Sequence, residues 1–451
     1  MEMNTKEQDF LRLPEELCSL SAVVSVVGAG GKTSLIWRLC HEARKRGKRV
    51  IITTTTHMAL EYGRPFVEGW KTDTLSRVRE ALDQYGCVIT AAKEQDSHKQ
   101  ILKYKAFATG SEEEERVKTL SSFCDLLLIE ADGSRKLPIK APGPEEPVIP
   151  AITDTVIAVL GLSALGKPIQ EVGFRPERIA GILHKSPEKS VLPEDYLTLA
   201  ASKEGLQKNV GKRKLYVILN QADVLKPRRA VTGSSNRVWG AEPEKLYTGT
   251  MTLCSLNPGR MGLLLLAAGN SRRYGRNKLL EPVEGQAMYS RVLEAFLEAG
   301  CGLPDIITQY PEIEEKCRSL ALRVFLNPEP DRGISSSLKI GLSRNLDRPY
   351  CLFSVCDQPW LRPETIRRFI LAYLGQKKGI GCLSYKGKTG NPCIFSSMYY
   401  PELLSLTGDI GGKAIIRKHP EDVFLFEADD EKELTDIDVR SDNPFHAKES
   451  T

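Results

Sequence analysis

The chain has 451 residues, with 63 Lys and Arg against 58 Asp and Glu, for a formal net charge of +5. This near balance favours neither nucleic-acid binding nor membrane-surface binding, and no apolar run approaches the roughly 18 residues of a membrane span. The polar, acidic N-terminus MEMNTKEQDFLRLPEEL is unlike a signal peptide, so we expect a cytoplasmic protein. The eleven cysteines form no C-x-x-C pair and the six histidines no ligand cluster, which predicts reduced core thiols and no structural metal.

The first motif follows a short β-branched strand predicted at residues 22–27 (AVVSVV). The next residues, GAGGKTS, lead into an apolar-periodic helix, which is the order of a phosphate-binding loop. In such loops the lysine reaches the outer phosphates and the threonine hydroxyl binds Mg²⁺. The predicted nucleotide-binding residues are Gly28, Gly30, Gly31, Lys32 and Thr33. A turn without a ligand is the alternative, since Val26 takes the first glycine position of the full G-x-x-x-x-G-K-[ST] pattern.

An acidic strand end follows further along the chain. Residues 71–120 are predicted to form helices and an acidic loop, with residues 112–115 on a solvated face. Residues 125–129 (DLLLI) then predict a buried strand that ends in EADGSR. Because an acid at a strand end beside a phosphate loop holds Mg²⁺ on a nucleotide, Asp132 is the first candidate metal ligand and Glu130 the second.

The last strand predicted in this half, residues 215–219 (LYVIL), ends in NQAD. This sequence is similar to the N-K-x-D motif with which GTPases read guanine, although Gln221 stands in the lysine position. We therefore predict that Asn220 and Asp223 bind the base, with Asp223 accepting hydrogen bonds from ring N–H groups.

Five sequence blocks together resemble the YqeC-type family of accessory proteins for selenium-dependent molybdenum hydroxylases. They are VVGAGGKTS, TTTTHM, EADGSRKLPIKAP, GLSALGKP and NQAD. The resemblance covers about residues 10 to 250. It implies a nucleotide-binding accessory domain and a molybdenum hydroxylase as the recipient, but no defined reaction.

Residues 226–260 are rich in Gly, Ser, Pro and Arg and are predicted to form the tail of the first domain and a linker, with the domain boundary near Asn257-Pro258-Gly259. Length alone suggests about three domains, but the motifs favour two, at residues 1–256 and 257–451. Both are predicted to be doubly wound α/β domains with mostly parallel sheets. The first would be P-loop-like and the second a Rossmann-like nucleotidyltransferase domain.

The second half opens with residues 263–280, LLLLAAGNSRRYGRNKLL. The apolar run predicts a strand buried on both faces, and the glycines and cations that follow predict a triphosphate-binding loop. The predicted nucleotide-binding residues here are Ala267, Ala268, Gly269, Ser271, Gly275 and Lys278. Arg273 and Lys278 would neutralise the triphosphate. A basic surface loop after a core strand is the alternative.

These residues closely resemble the L-A-A-G-x-S-x-R-M-G-x-x-K-L-L signature of MobA/MocA-type nucleotidyltransferases of molybdenum cofactor synthesis, with Tyr274 in place of the methionine. The resemblance covers about residues 260 to 445. It includes a G-x-S-S-S-L segment containing Ser336, and C-D-Q-P and D-I-D blocks containing Asp357 and Asp438. It implies that Ser336 lies near the nucleotide and that Asp357 and Asp438 hold Mg²⁺. Helix capping is the alternative role for Ser336 and for Asp357.

Two turns of the second half match substrate-side segments of the same family, G-[HN]-P and G-D-x-G. The substrate-side residues that the resemblance implies are Gly390, Asn391, Pro392, Gly408 and Asp409.

The implied reaction is transfer of CMP from CTP, or of GMP from GTP, to the terminal phosphate of a molybdopterin-type cofactor, with release of pyrophosphate. Ala268 favours cytidine by resemblance, because guanylyl-transferring relatives tend to have L-A-G-G. Asp357, Lys278 and Arg273 would carry the catalysis by positioning and charge neutralisation. One alternative is a sugar- or alditol-phosphate nucleotidyltransferase. Another, from a different class, is a nucleotide-gated chaperone that inserts the cofactor.

Overall fold

The computed structural model describes residues 11–95, 102–224, 250–271, 274 and 277–438. The chain forms two compact units. One comprises the residues up to Leu256 together with Ser319–Ala321, and the other comprises Asn257–Arg318 and the residues from Leu322 onward. Both are α/β with mostly parallel sheets, as predicted. In the described ranges no helix is long and apolar enough to cross a membrane. All eleven cysteines are free thiols, and all but Cys124 are buried.

The first unit alternates strands and helices along most of its length. Its strands are β1 (Val23–Gly28), β2 (Val50–Thr54), β3 (His57–Ala59), β4 (Phe66–Glu68), β5 (Cys87–Gln95), β6 (Leu102–Lys105), β7 (Leu126–Glu130), β8 (Ile139–Lys140), β9 (Thr155–Gly161), β10 (Gly173–Phe174), β11 (Lys214–Asn220) and β12 (Thr250–Leu253). Its helices are α1 (Glu15–Cys18), α2 (Lys32–Lys45), α3 (Thr74–Tyr85), α4 (Gly110–Ser121), α5 (Ile169–Val172), α6 (Pro176–Leu183) and α7 (Pro193–Ala201).

The main sheet of this unit has the order β12-β11-β9-β1-β7-β2-β5-β6-β3, and β4 also pairs with β5. Among the described strands of this sheet, β6 alone has antiparallel pairings, with β5 and with β3. Every residue of β1 and β7 is buried, which explains their nearly continuous apolar sequences. Because β1 lies between β7 and β9 and runs parallel to both, the loops after these three strands emerge at one edge of the sheet.

Two expectations for the first unit were wrong. The segment 71–120 contains β5 and β6 besides its helices. β5 opens with the apolar, β-branched run CVIT, which is itself a strand signal, whereas the short β6 gains its strand character from pairing within the sheet. The acidic residues 112–115 lie in α4 rather than in a loop, at the helix end where the macrodipole favours negative charge. Glu113 is buried there and accepts a hydrogen bond from the Ala108 N–H at 2.8 Å.

The predicted tail and linker at residues 226–260 is partly a strand. β12 pairs in parallel with β11, and the Cys254 N–H donates to the Leu219 carbonyl at 2.8 Å. Backbone pairing therefore extends the sheet of the first unit almost to Leu256. Residues 225–249 lie outside the described ranges.

The second unit is built on one larger sheet. Its strands are β13 (Gly262–Ala267), β14 (Pro282–Val283), β15 (Gln286–Ala287), β16 (Asp305–Thr308), β17 (Arg323–Leu326), β18 (Tyr350–Val355), β19 (Ile380–Tyr385), β20 (Lys388–Ser396) and β21 (Val423–Glu427). Its helices are α8 (Met288–Ala299), α9 (Pro311–Ser319), α10 (Ile334–Ser343), α11 (Pro363–Leu374), α12 (Tyr400–Ser405) and α13 (Lys413–Lys418).

The larger sheet of the second unit has the order β17-β16-β13-β18-β20-β19-β21, with β20 antiparallel to both of its neighbours. Parallel pairing of β13 with β18 brings their carboxyl ends to the same edge. Phe353 of β18 pairs with Cys393 of β20. Because β20 runs the other way, residues 390–392, which precede Cys393, lie at that edge too. The fold thus gathers three of the predicted motifs in one place.

Candidate active site

The glycine loop of the first unit packs tightly against the end of β9. Gly28, Gly30 and Gly31 all have positive φ angles, of 92°, 80° and 123°. A Cβ atom on Gly28 would lie 2.3 Å from the Val159 carbonyl oxygen, and one on Gly30 would lie 2.4 Å from the Gly161 nitrogen. Close packing of backbone on backbone therefore requires glycine at both positions, whatever the loop binds.

Several backbone donors of this loop already have acceptors within the protein. The Ala29 N–H donates to the Val159 carbonyl at 2.7 Å, and the Gly28 N–H donates to Asp132 Oδ2 at 3.0 Å. The amides at the start of α2, beginning with Lys32 and Thr33, have no acceptor within the helix because of helix geometry. An anion bound here would therefore be held mainly by the helix N-terminus.

Lys32 lies folded against the acidic end of β7. Its ammonium donates to the Gly28 carbonyl at 2.8 Å and to Ser134 Oγ at 3.3 Å. It also lies 3.2 Å from Asp132 Oδ1 and 3.7 Å from Glu130 Oε1. The side chain is almost fully buried, and these protein groups hold the cation at the loop.

The two candidate metal ligands have different partners. Asp132 Oδ2 lies 2.9 Å from the buried ammonium of Lys140, so that this carboxylate joins two lysines. Glu130 instead accepts a hydrogen bond from Thr33 Oγ1 at 3.3 Å. Burial raises the pKa of Glu130 to about 7, an effect that Lys32 opposes and Asp132 reinforces. The acid beside the threonine hydroxyl is thus Glu130, the second choice from sequence.

The asparagine of NQAD contacts the glycine loop. Asn220 Nδ2 donates to the Gly30 carbonyl at 2.8 Å, and Asn220 Oδ1 accepts from the Leu256 N–H at 3.0 Å. Asp223 accepts a hydrogen bond from the Ser255 hydroxyl. The asparagine amide thus ties β11 to the glycine loop, and base reading by Asn220 and Asp223 stays a prediction.

In the second unit, three distant segments meet at the sheet edge. The Lys278 ammonium lies 2.8 Å from Asp357 Oδ2 and 2.9 Å from Asp438 Oδ1. Burial by itself would lower the pKa of Lys278, but the two carboxylates raise it. The structure therefore brings together three of the residues that the sequence singled out as catalytic or metal-binding.

Asp357 does not cap a helix in this structure. The next helix, α11, begins at Pro363 with Arg362 as its N-cap. Asp357 Oδ1 is buried and has no hydrogen-bond partner among the described residues. The capping role that the sequence left open is thus excluded, and a carboxylate oxygen remains available to a cation.

A third carboxylate, that of Asp436, lies beside the carboxylates of Asp357 and Asp438. Burial and the neighbouring Asp357 raise the pKa of Asp436. In the described ranges no three acidic, histidine or cysteine side chains form a preassembled metal site. Magnesium needs few protein ligands because it takes oxygens from water and phosphate, so Asp357 and Asp438 fit Mg²⁺ held jointly with a triphosphate.

Hydrogen bonds from the two residues that follow β16, Gln309 and Tyr310, hold the loop after β13. Gln309 Nε2 donates to the Ala268 carbonyl at 3.0 Å, and the Tyr310 hydroxyl donates to the Gly269 carbonyl at 2.6 Å. Ser271 has a φ of 49°, and its hydroxyl accepts from the Lys278 N–H at 3.2 Å. These bonds orient the loop backbone and set the start of the Lys278 turn. The predicted site residues Arg273 and Gly275 lie outside the described residues.

Ser336 and the G-D-x-G turn meet at the start of α10. Asn327 Nδ2 donates to Ser336 Oγ at 2.9 Å, and Asp409 Oδ1 accepts from the Ile334 N–H at 3.2 Å. A Cβ atom on Gly333 would lie 2.5 Å from the backbone of Gly408. The described contacts of Ser336, Gly408 and Asp409 are therefore those of a helix start, and their ligand roles stay predictions.

The G-N-P segment was predicted as a turn but lies within β20, where pairing with β19 sets its backbone, and it packs against the last described part of the chain. A Cβ atom on Gly390 would lie 2.6 Å from Leu434 Cδ2, and Asn391 Oδ1 lies 3.9 Å from the Cys393 thiol. With Pro392, this segment of β20 lies at the sheet edge that carries Asp357. Its proximity fits the predicted substrate side.

The fold and these two loops define a two-domain α/β protein whose second unit is a nucleotidyltransferase-type domain. A family model described as "YqeC protein" matches residues 24–177, and one described as "MobA-like NTP transferase domain" matches residues 263–423. The "Uncharacterized protein YqeC" of Escherichia coli K12 is 34% identical over 199 residues, which cover 44% of this chain and 75% of that protein. The chain belongs to the YqeC family and joins that domain to a MobA-like one.

Other similarities fall in the C-terminal half. Nicotine blue oxidoreductase of Paenarthrobacter nicotinovorans is 26% identical over 188 residues, covering 39% of this chain and 91% of that protein. The crystal structure of Rv0371c from Mycobacterium tuberculosis H37Rv has 26% identity and a TM-score of 0.36, covering 41% of this chain and 94% of that one. The name of the first of these relatives denotes a redox enzyme, so similarity does not by itself identify the reaction.

Proposed function

We propose that the second unit transfers CMP from CTP to the terminal phosphate of a molybdopterin-type cofactor. The observation that supports this most is the Lys278 ammonium between the Asp357 and Asp438 carboxylates, at the edge where the glycine loop emerges. Cationic and carboxylate groups at one loop are what a triphosphate and its metal require. The choice of CTP rests on Ala268, where guanylyl-transferring relatives tend to have glycine.

In this proposal a phosphate oxygen of the acceptor attacks the α-phosphorus of CTP in line. One O–P bond forms, the bond to the β-phosphate oxygen breaks, and pyrophosphate leaves. Lys278 exchanges a carboxylate partner for a phosphate oxygen and neutralises charge that develops on the leaving group. Asp357 and Asp438 would hold Mg²⁺, which when bound screens the triphosphate charge. Gln309 and Tyr310 keep the loop backbone in its binding conformation.

The first unit is proposed to bind a nucleotide at the start of α2. Lys32 and the first α2 amides would hold phosphate, and Thr33 would hold Mg²⁺ with Glu130 or Asp132. A guanine nucleotide is favoured by the N-Q-A-D sequence. We propose an accessory role in delivering the finished cofactor to a molybdenum hydroxylase, which follows from the YqeC resemblance alone.

The experiment is a pyrophosphate-release assay on the full chain with Mg²⁺, a molybdopterin-type acceptor and CTP, GTP or ATP in turn. We expect release with CTP above that with GTP, and none without acceptor. An Asp357→Asn variant serves as the inactive control. Release only with a sugar or alditol phosphate would identify the alternative transferase. The chaperone would be identified by two results together. No combination of nucleotide and acceptor releases pyrophosphate, and the protein transfers the cofactor to a hydroxylase in a nucleotide-dependent way.

A further inference from the structure

Gln358, directly after Asp357, is buried and ties two segments together. Its Nε2 atom donates to Asp436 Oδ1 at 2.6 Å and to the Leu434 carbonyl at 3.1 Å. The Ile437 N–H in turn donates to the Asp357 carbonyl at 3.1 Å. Side chain and backbone thus join the residues after β18 to the last described residues of the chain.

A second tie lies close by. Glu433 is 1% exposed and accepts from the Arg362 backbone N–H at 3.1 Å and from the Arg362 guanidinium at 2.6 Å. The segment it anchors forms a short 3-10 helix at Glu431–Leu434, and residues 435–438 belong to no described helix or strand. No sheet pairing is therefore described that would set the position of Asp438 relative to Asp357. These hydrogen bonds do so instead.

We infer that Gln358 is a positioning residue that keeps Asp438 opposite Asp357, so that both carboxylates can reach one cation. The inference rests on the proposed function of this site. Because Asp436 is exposed to solvent, its carboxylate faces the site only while a donor holds it there. Asp436 lies next to two other carboxylates, and Gln358 supplies its hydrogen bond. Without that donor Asp436 turns outward, and Asp438, two residues on, moves with it.

The test is Mn²⁺ binding to the full chain with CTP, followed by electron paramagnetic resonance. The part of the binding that Asp357→Asn abolishes belongs to the second unit. Gln358→Met has similar length but no donor, and we expect it to weaken that part about tenfold, the usual scale for residues that orient a metal ligand. Asp436→Asn still accepts from Gln358 and should bind Mn²⁺ like the wild type.

Asn345→Leu is the matched control. Asn345 is a buried amide that donates to Asp305 Oδ2 at 2.8 Å and to the Gly341 carbonyl at 3.0 Å, at the opposite edge of the sheet. Like Gln358→Met, Asn345→Leu removes hydrogen bonds from a side-chain amide to a carboxylate and to a carbonyl. It should leave Mn²⁺ binding unchanged. Should Gln358→Met not fold, Gln358→Glu keeps the size, removes the donor and must weaken binding as well.

The outcomes separate the positioning role of Gln358 from the proposed metal site of the second unit. Wild-type Mn²⁺ affinity in the Gln358 variant, with binding lost in Asp357→Asn, overturns the positioning role and leaves the proposed site intact. Unchanged binding in Asp357→Asn removes the metal site on which the proposed function depends. Loss of binding in Asp436→Asn makes Asp436 a ligand itself and also contradicts the inference.

Discussion

The Lys278 ammonium contacts Asp357 Oδ2 at 2.8 Å, although the two residues are 79 positions apart in the chain. This ion pair offsets part of the negative charge of the Asp357 and Asp438 carboxylates at the edge of the second sheet. It also shows why a carboxylate can lie where a triphosphate is expected. A cation must stand between the two anions, either Lys278 or a metal.

We expect Asp357→Asn to lower the transfer rate by about a hundredfold or more, the usual scale for losing electrostatic stabilisation of a transition state. The melting temperature should change little, because Lys278 retains Asp438 as a partner. Initial rates of pyrophosphate release and thermal melts measure both quantities. Glu364→Gln, an exposed substitution on α11, is the control. Full activity of Asp357→Asn at saturating Mg²⁺ would remove Asp357 from the site.

For the first unit, Lys32→Ala should abolish its nucleotide binding and leave transfer by the second unit nearly unchanged. The reason is that each unit has its own predicted phosphate-binding loop, and Lys32 is the cation at the first. Equilibrium dialysis counts the bound nucleotides, with one site expected to disappear. Loss of transfer in a variant that still melts cooperatively would mean that the two sites are coupled or misassigned.

The two acids after β7 should respond differently to amide substitution. Glu130, beside Thr33, is expected to contact the metal, so Glu130→Gln should cut the gain in nucleotide affinity from Mg²⁺ about tenfold. Asp132 competes with phosphate for Lys32, so Asp132→Asn should raise Mg²⁺-free affinity severalfold and keep the Mg²⁺ gain. Titrations with and without Mg²⁺ measure both. If Asp132→Asn abolishes the gain, Asp132 is the ligand.

Acid stability should depend on Glu146. Burial by itself would raise its pKa, but hydrogen bonds from Arg175 and Lys140 lower it from 4.5 to about 2. The unfolded chain therefore takes up this proton first, so the stabilisation is present above pH 4.5 and is lost as the pH falls toward 2. Glu146→Gln should cost about 1 to 3 kcal/mol at pH 7 and less at pH 3.5.

Urea unfolding at the two pH values measures this difference, and Glu145→Gln, on an exposed neighbour, is the control. An equal cost at both values would mean that the ion pair with Arg175 and Lys140 does not stabilise the fold.

The two halves should fold independently when the chain is cut between Cys254 and Met261. The cut is best made after Leu256, because its N–H is bonded to Asn220 of the first sheet. Each half has its own sheet and motif set, so each should melt cooperatively. Calorimetry on the separate halves tests this. If neither half gives a cooperative transition, the two-domain assignment is wrong.

The sequence by itself determined the class of fold and the motif positions. Short continuous apolar runs such as residues 263–267 indicate strands buried on both faces, and the glycines and charges that follow mark the loops at their ends. Local chemistry of this kind needs no knowledge of distant residues. The same reasoning missed β6, because its short alternating sequence has no signal apart from its partners.

Tertiary structure alone decided which side chains meet. Lys278 and Asp438 are 160 positions apart, and no local pattern shows that they lie 2.9 Å from each other. Nor could the sequence show that Glu130, rather than Asp132, lies beside the Thr33 hydroxyl, since both acids stand at the end of β7. That order depends on Gly28 and Lys140, which bind Asp132 from other segments. Partners and burial are properties of the packed fold, and they determine charge, pKa and role.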